Sequence, residues 1–167
     1  MAEVATTVVS VIAAPRKPFY AWLVPGVFYD QLETVLRDAA FMPGVSKTTG
    51  TTGPWDKPGS TRVVHLTDGT SCRETVTSAT APDYFAYKLT EFSNPLIRIL
   101  VKEARGQWWF TDEGQGLHAK WTYTAETKNP FGAILVAPVI KILWHRYMQA
   151  AMNVTKERAE KEVVRSA

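Results

Sequence analysis

"GQWWFTDEGQGLHAKWTYTAE", Gly106 to Glu126, reads as two strand-like runs joined by a glycine turn at Asp112 to Gly116. Successive side chains of a strand point to opposite faces. In "LHAKWTYTA", Leu117, Ala119, Trp121, Tyr123 and Ala125 therefore share one face, and His118, Lys120, Thr122 and Thr124 share the other. In the partner run Ala104, Gly106, Trp108 and Phe110 hold the apolar parity against Arg105, Gln107, Trp109 and Thr111. Trp109 thus faces outward, either as a contact surface or as a ring part-covered by a neighbouring strand. Rings with N–H or O–H tips want partners when buried. So many of them in one hairpin either pack a core or surround a space for a guest.

Working outward, the same two-residue period runs upstream. "DYFAYKLTEF" directs Phe85, Tyr87 and Leu89 inward, and "SCRETVTS" directs Cys72, Glu74 and Val76 inward. "STRVVHLT" is a strand closed by Asp68-Gly69, and "VSKTTGTTG" precedes it. Val4 to Ala13 is a β-branched strand stopped by Pro15. From Pro18 to about Met42 the pattern is helical: "PFYAWLV" and "YDQLETVLRDAAF" are separated at Pro25-Gly26, with Asp30 and Glu33 at capping-box spacing.

Downstream, Asn129-Pro130 reads as a helix start, followed by a helix to about Val163 that Pro138 bends. Its stripe is Val136, Val139, Ile140, Leu143, Trp144, Tyr147, Met148, Ala151 and Met152, with His145 and Arg146 off it and solvated. Residues 46–59 and 93–102 are left without an assigned conformation. The order of one strand, two short helices, six strands and a long helix predicts an antiparallel sheet covered by the last helix.

The 167 residues are most simply one domain, 1–167, at 46% hydrophobic and 21% charged. A net charge of +3 with Arg16-Lys17 as the one adjacent basic pair gives no phosphate-tracking stripe, which argues against nucleic acid. One cysteine suits a reducing compartment, and the acidic opening is unlike a secretory signal. "FGAILVAPVIKIL" falls short of the roughly 20 apolar residues of a bilayer span. The expectation is a soluble, cytoplasmic protein without stable membrane insertion.

"DGTSCRETVTSATAPDYFAYKLTEF", "GQWWFTDEGQGLHAKWTYTAETKNPFG", "LVAPVIKILWHRYMQAAMNVTKERAE" and the entry "IAAPRKPFYAWL" together resemble the START-like superfamily of Bet v 1-type helix-grip proteins (SRPBCC), which includes polyketide cyclase/dehydrase and lipid-transport domains. The resemblance spans nearly the whole chain and rests on the order of motifs. It implies an α+β fold: a curved seven-stranded antiparallel sheet around a long C-terminal helix, with a ligand cavity between them. The Thr/Gly-rich stretch before "DKPG" departs from the pattern.

On that frame the candidate ligand-binding residues are Glu74, Val76, Phe85, Tyr87, Trp108, Phe110, Trp121, Tyr123, Leu143, Trp144, Tyr147 and Met148. Glu74 is the informative one. A buried carboxylate raises its pKa or finds a donor such as Tyr87, Tyr123 or Tyr147; alternatively Glu74 sits near the sheet end, wet or paired with Arg62 across the strand.

Other chemistries find little footing. His65, His118 and His145 show no metal spacing, Cys72 lies in a strand interior, and the Gly-x-Gly of "DEGQGL" joins two strands instead of opening a helix. No cofactor is expected. The leading reading is a carrier or sensor of a small hydrophobic molecule, such as a lipid, polyketide or aromatic metabolite. The alternative is a cyclase or dehydratase using Glu74 with a tyrosine, and a third reading is a pure interaction domain whose cavity is collapsed. Oligomeric state is left open.

Overall fold

In the computed structural model, which describes residues 1–165 and side chains through Val164, seven strands form a single antiparallel sheet. They are β1 (Ala2–Ile12), β2 (Val45–Thr49), β3 (Thr61–Leu66), β4 (Ser71–Thr80), β5 (Tyr84–Thr90), β6 (Val101–Glu113) and β7 (Gly116–Thr127). Their order is β1-β7-β6-β5-β4-β3-β2, so chain neighbours pair throughout except that the first strand adds to the last. The β6–β7 register sets Trp108 opposite Trp121, and the two indoles stack at 4.7 Å between centroids.

Helical segments carry the chain from β1 to the far edge strand β2. Helix α1 (Arg16–Trp22) runs through a π turn at Leu23–Val27 into α2 (Phe28–Asp30), and α3 (Leu32–Val35) follows. The expected break at Pro25-Gly26 is not there. The wide turn takes up the missing proline N–H, and Leu23, Val24, Val27 and Phe28 all stay buried. The break falls at Gln31 (φ −131°, ψ 26°), which flanks α3 without a side-chain cap, so the expected Asp30 cap is also replaced. The second helix ends at Val35, short of Met42. Asp38 Oδ1 then ties the following loop by accepting from Gly44 N and Thr67 Oγ1, each at 2.6 Å.

Two helices begin with the same device. Asn94 Oδ1 accepts from Leu96 N at 3.0 Å and Asn129 Oδ1 accepts from Gly132 N at 2.8 Å, each with proline next in sequence. The first opens α4 (Pro95–Leu100), the segment that sequence left unassigned. The second opens α5 (Pro130–Pro138), which continues through a π turn (Val139–Trp144) into α6 (His145–Arg165). The irregularity at Pro138 is thus absorbed as a π turn, and the extra residue shifts the helix phase. Gly132, Val136, Ile140, Tyr147, Met148, Ala151 and Met152 are buried, while Val139 and Leu143 of the expected stripe rotate outward.

The C-terminal helix is held along β1. His145 Nδ1 hydrogen-bonds Thr6 Oγ1 at 2.7 Å, so this half-buried ring is not the solvated one expected. Farther along, Lys156 Nζ donates to Val11 O (2.8 Å) and Ala13 N donates to Glu160 Oε1 (3.0 Å).

Candidate functional site

Between the sheet's inner face and the helices lies a cavity of about 200 Å³. β4 contributes Cys72 and Glu74, β5 Tyr87 and Leu89, and β7 Trp121 and Tyr123, all on the inward parity. Leu32 and Leu36 close one side, and Trp144 and Tyr147 cover the top. A second chamber of about 460 Å³ opens between α4 and α5, among Leu96, Ile97, Leu135 and Val139. The two chambers share Met42, Phe92, Ile97, Tyr123 and Trp144 as common walls. Behind Glu74 a void of about 30 Å³, the size of one water, lies among Arg62, Phe85, Trp108 and Trp121.

Six of the sequence candidates therefore meet at the larger spaces: Glu74, Tyr87, Trp121, Tyr123, Trp144 and Tyr147. Phe85 and Trp108 reach only the small void. Val76, Phe110 and Met148 are buried away from all three spaces, and Leu143 is half-buried and off them. Phe110 is sealed by edge-on contacts from Phe19 (5.6 Å) and Tyr20 (5.8 Å). Val76 is bracketed by backbone bonds to Gly59 and Ser60. Alternation assigns a face but not a depth along the strand, which is why parity grouped them together.

The lining residues that sequence did not name include Val45, Val64 and Leu66 on β2 and β3, and others from outside the strands. Leu32 and Leu36 show an i, i+4 spacing that could have been read. Met42, Phe92 and Trp55 sit in loops, where sequence gives no inward direction. Trp109 lies on the outer face, part-covered by Tyr84 at 5.5 Å and by the Lys120 ammonium at 4.6 Å.

The electrostatic centre is a buried pair. Arg62 Nε donates to Glu74 Oε2 at 2.7 Å, with side-chain exposures of 0% and 8%. Arg62 Nη1 also donates to the carbonyls of Phe28 and Tyr29, and the guanidinium lies 3.7 Å from the Trp55 ring centroid. Glu74 thus satisfies both features that sequence held apart: it is buried among rings, and it is paired across the β3–β4 register.

Burial, and then the Glu74 charge, hold the Tyr87 hydroxyl well above its ordinary pKa, with the Trp121 N–H opposing weakly without forming a well-aligned bond. Burial likewise raises Tyr123 and Tyr147. The Cys72 thiol is pushed up to about 12 by burial and by Glu74, against the pull of Arg62. The walls accordingly offer protonated hydroxyls and aromatic faces around one carboxylate whose charge is matched. Trp144 Nε1 is buried with no acceptor among the described residues. Among those residues no three His, Cys, Asp or Glu side chains come together as a metal site.

A curved seven-stranded sheet gripping a long C-terminal helix over a ring-lined hollow is the Bet v 1-type helix-grip fold, as the sequence implied. No protein-family model matches the sequence, and no curated relative does. Solved structures do match. Norcoclaurine synthase from Thalictrum flavum, in complex with dopamine and hydroxybenzaldehyde, aligns at a TM-score of 0.73 and 13% identity, over 96% of this chain and 88% of that one. Ara h 8.0201 aligns at 0.68 and 14% identity, over 98% and 99%. The di-domain ARO/CYC protein BexL of the BE-7585A biosynthetic pathway aligns at 0.61 and 20% identity, over 95% of this chain and 50% of that one. All three are helix-grip proteins, and at these identities the likeness is one of fold.

Proposed function

We propose that this protein carries or senses a small hydrophobic molecule held in these two adjoining chambers. The observation that supports this most is their geometry: spaces of about 200 and 460 Å³ share walls, in the size range of small-molecule sites, and are lined mainly by apolar and aromatic side chains. The guest's body lies against Trp121, Tyr123 and Trp144. Its polar end carries a hydrogen-bond acceptor, because the tyrosine hydroxyls are kept protonated and the Trp144 N–H has no acceptor among the described residues. A lipid, polyketide or aromatic metabolite with a carbonyl or hydroxyl group fits this description. A soluble, cytoplasmic setting belongs to the proposal and agrees with the free, buried Cys72.

A cyclase or dehydratase is the second reading, favoured by the carboxylate on the cavity wall. The Arg62 pairing weighs against it, because Glu74 Oε2 already accepts from Arg62 Nε at 2.7 Å and is not free to face a guest. Titration with fluorescent fatty acids, aromatic polyketides and hydrophobic dyes tests the proposal. A guest at a hundred times its Kd adds about 2.7 kcal/mol, raising the Tm of a chain this size by roughly 5–11 °C. A Tm that no compound moves would overturn the carrier. Turnover that Glu74→Gln abolishes while binding persists would replace it with the enzyme.

A further inference from the structure

The wide chamber opens through a surface that is unusually apolar for an exterior. Phe41 (98% exposed), Leu96 (65%), Ile99 (66%), Phe131 (66%), Ile134 (71%) and Ile142 (51%) project from the loop before β2, from α4 and from the outer side of the helix that begins at α5. None of the α4 residues is buried. On the long helix the exposed residues recur at three- and four-residue spacing, opposite Gly132, Val136 and Ile140, which face the protein. By length and composition this helix, Pro130–Val164, is apolar enough to cross a membrane, yet most of its apolar stretch is not buried against the protein. Phe41 stands at φ 65°, in the left-handed region that a bulky residue rarely adopts, next to Met42 on the chamber wall.

Charge narrows the choice of partner. Neither 92–102 nor 127–156 contains a single Asp or Glu, whereas Arg98, Lys128, Lys141 and Arg146 lie within them. None of these four cations forms an ion pair among the described residues. Of the acids in flanking segments, Glu91 is paired with Arg73, Glu103 with Arg105, Glu126 with Lys102 and Glu157 with Lys161, and Asp38 is tied by Thr67 and Gly44. A second copy of this chain would set cation against cation across a two-fold axis. An apolar face ringed by unopposed cations matches the boundary between acyl chains and anionic headgroups.

We infer that this face docks on the surface of a bilayer containing anionic lipid, with the mouth of the wide chamber turned toward the acyl chains. The helix lies in the interface and does not span, because its other face is locked to the sheet through Val136 and Ile140. The residues that rim the mouth, Leu96, Leu135 and Val139, also line the chamber, so a hydrophobic guest could pass between lipid and protein without crossing water. The docking itself does not depend on any guest.

Cosedimentation of the purified 167-residue chain, with no guest added, tests this against phosphatidylcholine vesicles with and without phosphatidylserine. Binding is expected to the anionic vesicles and to weaken as salt is raised. Ile134→Glu and Phe41→Glu should each lower partitioning about tenfold or more, with the Tm unchanged because both side chains are exposed. The inference is overturned if anionic vesicles bring down no protein, if both substitutions leave partitioning intact, or if neutral vesicles bind equally. It also fails if ultracentrifugation finds a dimer that these substitutions dissolve, which would assign the face to a second copy.

Discussion

Removing one member of the Arg62–Glu74 pair should be among the most damaging single changes available to this protein. Arg62 is fully buried, and its guanidinium ties β3 to Glu74 on β4 and to the carbonyls of Phe28 and Tyr29 at the end of α2. Glu74→Ala leaves that cation without its counter-charge, and Arg62→Ala leaves a carboxylate among Tyr87, Trp121 and Trp108. Losing one partner of a buried pair costs about 3–5 kcal/mol, against an intrinsic advantage near zero for the pair over apolar residues of similar volume. At roughly 2–4 °C per kcal/mol for a chain this size, each single substitution should lower the Tm by roughly 6–20 °C.

Arg62→Met combined with Glu74→Leu should recover much of that loss, giving a coupling energy of about 2 kcal/mol or more in a double-mutant cycle. Urea unfolding of the four proteins measures it. Single substitutions that each cost less than about 1 kcal/mol, or costs that simply add in the double variant, would show that water screens the pair. That would refute its place at the inner end of the cavity.

Three further outcomes follow from the same region. Gly106 faces Tyr87 across β5–β6, and a Cβ there would collide with the Tyr87 ring. Gly106→Ala should therefore cost about 1–3 kcal/mol by overpacking, or push the ring into the cavity and weaken dye binding; a neutral effect on both would refute the contact. Tyr87, Tyr123 and Tyr147 bind their protons more tightly folded than unfolded. Their contribution is fully present below the unfolded pKa of about 10 and drains away above it. Urea midpoints should fall steadily above pH 10, with the tyrosinate absorbance of these three buried rings appearing only as the protein unfolds. Cys72, raised to about 12, should resist iodoacetamide at pH 8 until denaturant is added; rapid native alkylation would place it outside the core.

Sequence by itself determined the sheet and its inner face. A two-residue period in β4 to β7 is a local property, and of the side chains it sent inward Cys72, Glu74, Val76, Phe85, Tyr87, Trp108, Phe110, Trp121 and Tyr123 are buried, with Leu89 partly so. The helix start at Asn129-Pro130 was legible for the same reason, since a cap is written in adjacent residues. The identical pair at Asn94-Pro95 opens α4, but a six-residue apolar run reads equally as strand or helix, so that element emerged only in the structure.

The tertiary structure decided depth and phase. Which inward residues meet open space depends on how far along each strand the helices cross it, and that left Val76 and Phe110 in solid core while Tyr87 and Tyr123 border the hollow. The phase of the last helix turned on one π turn after Pro138, where a single added residue moves Leu143 off the core and leaves Tyr147 on it. The pairing of Glu74 turned on register. Only when β3 and β4 align does Arg62 stand opposite it, and only the end of α2 supplies the carbonyls that hold the guanidinium in place.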